Sequence, residues 1–209
     1  IAIHLQEHGR YVFNINYRLI AQKPWPACLN DCIAAAKFIL EDKLSAVGCP
    51  SYGSLSICGA SAGGHLAMMT ALNLPKDRVC SVISLAGPAR LYPTSDTKTS
   101  AICENNFLEE FFGKPTDLDA PDVKLASPIH SIINEPPTLH CVHSINDQLV
   151  PISHSEDAIN AWHQVGARAE LYTYDGEGKN HGFWEFDTPE KRTIAPPLAS
   201  ILTQLVNTI

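Results

Sequence analysis

The sequence contains a serine, a carboxylate and a histidine in the order and contexts that acyl transfer requires. Ser61 lies in Gly59-Ala60-Ser61-Ala62-Gly63, between the apolar run Ser54–Cys58 and the helix-forming stretch Gly64–Leu72. A strand that turns sharply into a helix lifts a serine hydroxyl clear of a sheet, and the residues two before and two after must be small where backbone passes close to backbone. Gly59 and Gly63 meet that need. The plainer alternative is a glycine-rich turn that only packs a helix on a strand. The flanking strand and helix signals favour the nucleophile.

A serine hydroxyl attacks well only when a base takes its proton, and the base works best when an acid orients it. With the serine at the end of one strand, the acid and then the histidine are expected on loops after later strands. Pro137–Ser144 has strand composition and runs into Ile145-Asn146-Asp147-Gln148-Leu149-Val150-Pro151, which makes Asp147 the predicted acid. A helix is expected from Ser153 to Val165, then a strand Ala169–Tyr174, then a loop Asp175–Phe183 carrying His181, the predicted base. Nine histidines compete for that part, and position separates them. His140 and His143 fall inside a predicted strand, His154 and His163 on the helix after it, and His65 on the helix of the serine turn. His181 follows a strand downstream of Asp147 and is flanked by glycines that let it approach the serine. Asp175 and Glu177 are alternative carboxylates, but they share the histidine's loop, where solvated side chains are the simpler account.

Other segments fall into line with these. Asn16-Tyr17-Arg18-Leu19, Trp25-Pro26-Ala27, Asp31, Ser127-Pro128, Pro136-Pro137-Thr138-Leu139 and Asn180-His181-Gly182-Phe183 follow one another along nearly the whole chain. In this order they resemble the α/β-hydrolase superfamily, in its esterase and lipase branch of hormone-sensitive-lipase-like and feruloyl or acetylxylan esterase-like enzymes. Ala60 stands where hormone-sensitive-lipase-like members usually carry Asp, which favours the feruloyl and acetylxylan esterase side. The resemblance implies an α/β fold of the α/β-hydrolase type, a mostly parallel sheet flanked by helices. It also implies a serine carboxylic-ester hydrolase for short-chain acyl esters, acetylated or feruloylated carbohydrate among them. Ser61 would attack the carbonyl, His181 would carry the proton to the leaving alcohol, Asp147 would hold the imidazole, and water would hydrolyse the acyl-enzyme. The N–H of Ala62 is the expected oxyanion donor. His65 and Trp184 are candidate substrate-binding residues, each with core packing as the alternative. An amidase or peptidase of the same fold, arylformamidase-like, would use the same three residues. A binding protein that has kept the fold is the alternative from another class, and the presence of all three counts against it.

In the family a second oxyanion donor comes from a His-Gly-Gly-type loop after the third strand, and no such segment occurs in the sequence. Ile1–Gly9 resembles the end of the family's first helix, and Tyr11–Asn16 its next strand. The first strands are therefore expected to be lacking, with the chain an N-terminally truncated, catalytically weak homologue. Because the family's third strand lies between its fourth and fifth, Tyr11–Asn16 and Ser54–Cys58 are expected to stand apart.

Composition fits a single domain over residues 1–209: 45% hydrophobic residues can bury one core, and strand and helix signals alternate. No run of about eighteen apolar residues suggests a membrane span. A net charge of -7 argues against nucleic acid and for an uncharged or weakly charged small-molecule or carbohydrate ester as partner. The odd count of seven cysteines argues against a full disulfide framework. Cys28 and Cys32 are one helical turn apart, but no second pair at ligand spacing completes a zinc site, so neither metal nor cofactor is predicted. Periodicity is weakest from Pro88 to Pro128, where Tyr92–Thr99 and Phe107–Phe112 would serve as surface packing or as a wall of the acyl pocket.

Overall fold

Parallel strands cannot be joined by tight turns and need crossovers, usually helical. This chain supplies them. The computed structural model describes residues 1–41, 43–45, 48–50, 53–92, 107–175, 181–184, 186–187, 192–193 and 196–208. Its sheet has four parallel strands in the order β1 (Leu55–Ala60), β2 (Val79–Leu85), β3 (Thr138–Ser144) and β4 (Ala169–Tyr174). Helix α3 (Ala62–Leu72) crosses from β1 to β2, α4 (Phe107–Phe112) and α5 (Pro121–Leu125) lie between β2 and β3, and α6 (Ser153–Gln164) crosses from β3 to β4. Helices α1 (Ala2–Glu7) and α2 (Ala27–Leu40) precede the sheet; a short antiparallel pair, β5 (Phe186–Asp187) with β6 (Arg192–Thr193), and α7 (Pro196–Thr208) follow it.

Side chains alternate across a strand, so a sheet buried on both faces needs apolar residues at odd and even positions. On β3, Leu139 and Cys141 enter one core with Ala36 of α2, Met68 and Ala71 of α3 and Trp162 of α6. Val142 enters the other, with Ile83, Leu85, Phe183, and Leu198 and Leu202 of α7, against which Ile1 and Leu5 also pack. Helices therefore cover both faces. The indole N–H of the fully buried Trp162 donates to the Pro137 carbonyl at 2.9 Å, fixing α6 to the entrance of β3. Buried Arg90, in the loop after β2, ion-pairs with Asp157 and donates to the Ser153 hydroxyl at 3.1 Å, tying that loop to α6.

The predicted strands Ser54–Cys58, Pro137–Ser144 and Ala169–Tyr174 and the two predicted helices are all present, with ends shifted by at most two residues. The predicted strand at Tyr11–Asn16 is not. Among the described residues that segment is not part of a strand, and Tyr11, Val12 and Ile15 are exposed. A groove of about 640 Å3 is lined by Val12, Phe13 and Ile15 of this segment together with Ile39, Ile57 of β1 and Ile83 of β2, among others. The two segments, Tyr11–Asn16 and β1, are not neighbours in the sheet, as expected, and a stretch of strand-like composition that joins no ladder does not become a strand. Among the described residues no helix is long and apolar enough to cross a membrane, and no disulfide joins two of the described cysteines.

Leu139 lies in an interior strand and is fully buried, whereas Leu125 is 66% exposed. Leu139→Ala is expected to destabilise the fold by about 2–5 kcal/mol, and Leu125→Ala by under about 0.5 kcal/mol. Urea unfolding of both variants checks this; equal midpoints would contradict the assignment of the core.

Candidate active site

The C-terminal ends of β1, β3 and β4 converge on one rim of the sheet, and each carries one of the residues singled out above. Ser61, between β1 and α3, has φ 53° and ψ −121°. A non-glycine residue in such a conformation stores about 1–3 kcal/mol of strain and persists only where its surroundings fix it. Here its N–H donates to the Leu85 carbonyl at the end of β2 at 2.8 Å, and its own carbonyl accepts from the N–H groups of Gly64 and His65 at 2.9 and 3.2 Å. A Cβ at position 59 would lie 2.1 Å from the Gly63 carbonyl oxygen, so only glycine fits there. Gly63, the second glycine expected to be small for want of room, has open space where a Cβ would point. The close approach on the helix side is made by its neighbour Gly64, whose Cβ would lie 2.8 Å from the Gly87 Cα.

Asp147 follows β3, whose path past Ser144 is held to β4 by the Ile145 N–H donating to the Tyr174 carbonyl at 3.0 Å. One carboxylate oxygen, Oδ1, accepts from the N–H groups of Leu149 and Val150 at 3.0 and 2.9 Å. This is the local turn that aspartate side chains favour. The other, Oδ2, lies 2.7 Å from His181 Nδ1. Burial alone would raise the Asp147 pKa, but hydrogen bonds from His143, His181 and the Val150 N–H outweigh it and hold the carboxyl well below the usual carboxylate range.

His181 Nε2 lies 2.9 Å from Ser61 Oγ. A carboxylate can only accept, so the proton sits on Nδ1 and Nε2 is left to accept from the serine hydroxyl. The imidazole is 18% exposed and the Asp147 side chain wholly buried, so the acid end is dry and the serine end open to an incoming molecule. Phe183, two residues on, is buried against Tyr174 of β4, with ring centroids 5.5 Å apart, and anchors the histidine segment to the sheet. Sequence reasoning passed over this anchor, whose signal was an aromatic residue two positions after the base. The Ala62 N–H, first in α3, is one of those a helix leaves without an internal acceptor, so it is available to a negative oxygen beside Ser61.

The two candidate substrate-binding residues part ways. Trp184 stands edge-on to the His181 ring, with ring centroids 5.1 Å apart. His65 is 4% exposed, packs against Trp25 and Phe111, and donates from Nε2 to the Ala126 carbonyl at 2.7 Å. Burial lowers its pKa to about 4, so it is neutral at pH 7 and serves to pack α3 rather than to line a pocket. Asp175 is exposed, as a solvated loop carboxylate should be, while Glu177, Asn180 and the stretch 93–99 lie outside the described residues. Phe107–Phe112 forms α4, whose Phe111 and Phe112 are buried with Leu91 and Val123. Among the described residues no group of His, Cys, Asp and Glu is placed to hold a metal ion.

Comparison with known proteins finds a family match for this chain. The BD-FAE family model matches residues 1–162, a span that includes Ser61 and Asp147. The chain is 27% identical to Esterase LipQ of Mycobacterium tuberculosis over 205 residues, 94% of this chain and 48% of the relative. It is 39% identical to the versiconal hemiacetal acetate esterase stcI of Emericella nidulans over 90 residues, 40% of this chain and 28% of the relative. The chain thus spans less than half the length of these relatives. Among solved structures, an esterase from Pyrobaculum calidifontis superposes with a TM-score of 0.74 at 25% identity, covering 99% of this chain and 69% of that one.

The depressed Asp147 pKa links stability to pH. A carboxyl whose pKa is lower in the folded state contributes stability that is complete above its unfolded value, about 4, and drains away as pH falls through the folded value. The melting temperature is expected to drop as pH falls below about 4. Asp147→Asn, less stable at neutral pH, should show a shallower acid limb in a melting temperature series. Parallel acid limbs would contradict the linkage.

Proposed function

Because the chain belongs to the BD-FAE family, we propose that it carries the catalytic centre of a serine carboxylic-ester hydrolase that acts on short-chain acyl esters, acetylated or feruloylated carbohydrate included. The observation that carries this reading is the unbroken relay from buried Asp147 through His181 to Ser61, with contacts of 2.7 and 2.9 Å, ending on a strained serine.

In this mechanism His181 Nε2 takes the Ser61 proton as Oγ bonds to the ester carbonyl carbon, and Asp147 stabilises the imidazolium that results. The tetrahedral oxygen is met by the Ala62 N–H. The imidazolium then protonates the leaving alcohol as the C–O bond breaks, leaving the acyl group on Ser61. Water, deprotonated by the same nitrogen, attacks the acyl carbonyl and releases the acid and the free serine. Trp184 beside the imidazole supplies an apolar wall for the acyl or alcohol portion. An uncharged ester suits a chain of net charge -7, and the Emericella nidulans relative is named for an acetate ester. Alanine before the nucleophile favours the feruloyl and acetylxylan esterase side of the branch.

A fluorophosphonate probe on the full-length protein is expected to label Ser61 alone by mass spectrometry, with no label on Ser61→Ala. His181→Ala should lower kcat on aryl esters by about a thousandfold or more. A panel of acetate to octanoate esters beside aryl amides and peptides then reads the acyl preference. Faster turnover of amides or peptides than of every ester would replace the esterase reading with an amidase or peptidase.

A further inference from the structure

His143 is a second histidine on the same carboxylate. It lies on β3 four residues before Asp147, and its side chain is completely buried. Its Nε2 is 2.8 Å from the Val150 carbonyl oxygen and 3.4 Å from Asp147 Oδ2. Its Nδ1 is 2.7 Å from Ser155 Oγ, in the first turn of α6. Both groups facing Nε2 can only accept, so Nε2 carries a proton; the serine hydroxyl can donate, so Nδ1 accepts. The tautomer is thereby the reverse of that of His181, whose Nδ1 proton faces the carboxylate.

We infer that His143 is a positioning residue for the proposed hydrolysis: its Nε2–H, shared between the Val150 carbonyl and Asp147 Oδ2, locks the acid turn so that Oδ2 stays on His181 Nδ1. This rests on the esterase reading above. Asp147 Oδ1 is held by two backbone N–H groups of the turn, but those bonds alone let the carboxylate plane tilt about them. The His143 proton closes the other side. It grips the turn at Val150, one of the residues whose N–H holds Oδ1, and approaches Oδ2 from within the core, opposite no solvent. Ser155 fixes the imidazole in turn, so strand β3, helix α6 and the acid turn are joined at one side chain. Buried polar networks of this kind act as a unit, and leaving one acceptor bare inside the core costs more than an ordinary hydrogen bond returns.

The test compares His143→Met, which keeps an apolar chain of similar reach, with His143→Gln, whose amide N–H can occupy the place of Nε2–H. In the full-length protein His143→Met is expected to lower kcat by about ten- to a hundredfold, the scale of a misplaced reacting group, with KM within about twofold. His143→Gln should restore kcat to within about threefold of the parent. A merely structural role predicts recovery by whichever residue fills the volume better, and it predicts no split between kcat and KM. A readout independent of turnover is the downfield proton resonance of His181 Nδ1–H, expected sharp in the parent and in His143→Gln and broadened in His143→Met. If His143→Met fails to fold, Ser155→Ala, which frees the imidazole to turn, should broaden the same resonance and lower kcat severalfold. Parent-like kcat and resonance in folded His143→Met, or a folded His143→Gln no better than His143→Met, would overturn the assignment. An unlabelled Ser61 in the parent would instead overturn the esterase reading, since the resonance reports on His143 whether or not the protein turns over substrate.

Discussion

One backbone hydrogen bond, from the Ser61 N–H to the Leu85 carbonyl, sets what the rest of the rim can do. It continues the β1 to β2 ladder one residue past the last paired strand position, Ala60 with Leu85, and so decides where the chain leaves the sheet. From there Gly59 must let the Gly63 carbonyl pass at a distance no Cβ would tolerate, and α3 must start at once. The strain at Ser61 is sustained because α3 is buried almost throughout, with Met68 and Ala71 at 0 and 1% exposure in the main core. Burial on that scale, about 25 cal/mol per Å2 of apolar surface, exceeds the strain of one residue many times over.

Strands β2 and β3 use the same device at their own exits. The Ala86 N–H donates to the Val142 carbonyl at 3.0 Å and the Ile145 N–H to the Tyr174 carbonyl at 3.0 Å, so neighbouring strands are still paired as they give way to loops. Parallel pairing puts all of these exits on one side. Residues 120 positions apart in sequence, Ser61 and His181, thus meet within hydrogen-bond distance without either loop having to be long. The imidazole arrives on a segment anchored by Phe183, and the carboxylate on a turn closed by its own side chain.

The features legible in sequence were those that local chemistry dictates. A glycine-flanked serine between a strand and a helix, an aspartate at the mouth of one apolar run and a histidine after the next each declare themselves within a few residues, and the structure brings all three together. Tyr11–Asn16 misled because strand composition states a preference that only a sheet ladder can realise; the segment shares the lining of a groove with β1 residues but joins no ladder among the described residues. His65 misled for a related reason. A histidine on α3 looks available, but α4 and Trp25 close over it, and nothing local signals that the Ala126 carbonyl, far along the chain, will accept a hydrogen bond from it. Gly63 and Gly64 could not be told apart, since which of them meets Gly87 depends on how α3 rotates on the sheet.

His143 marks the boundary of what spacing can reveal. Inside a strand, a polar residue pointing into a core reads as an exception that some partner must satisfy, and the sequence names no partner. The fold names three, and two of them belong to the acid turn. The carboxyl of Asp147 stays ionised in a dry setting only because enough donors surround it to replace the water it gave up. Each donor also fixes a direction, so the bonds that keep the carboxylate charged are the bonds that aim it at His181. Stability of the buried charge and orientation of the base are therefore one property of this turn, and a substitution that weakens either must weaken both.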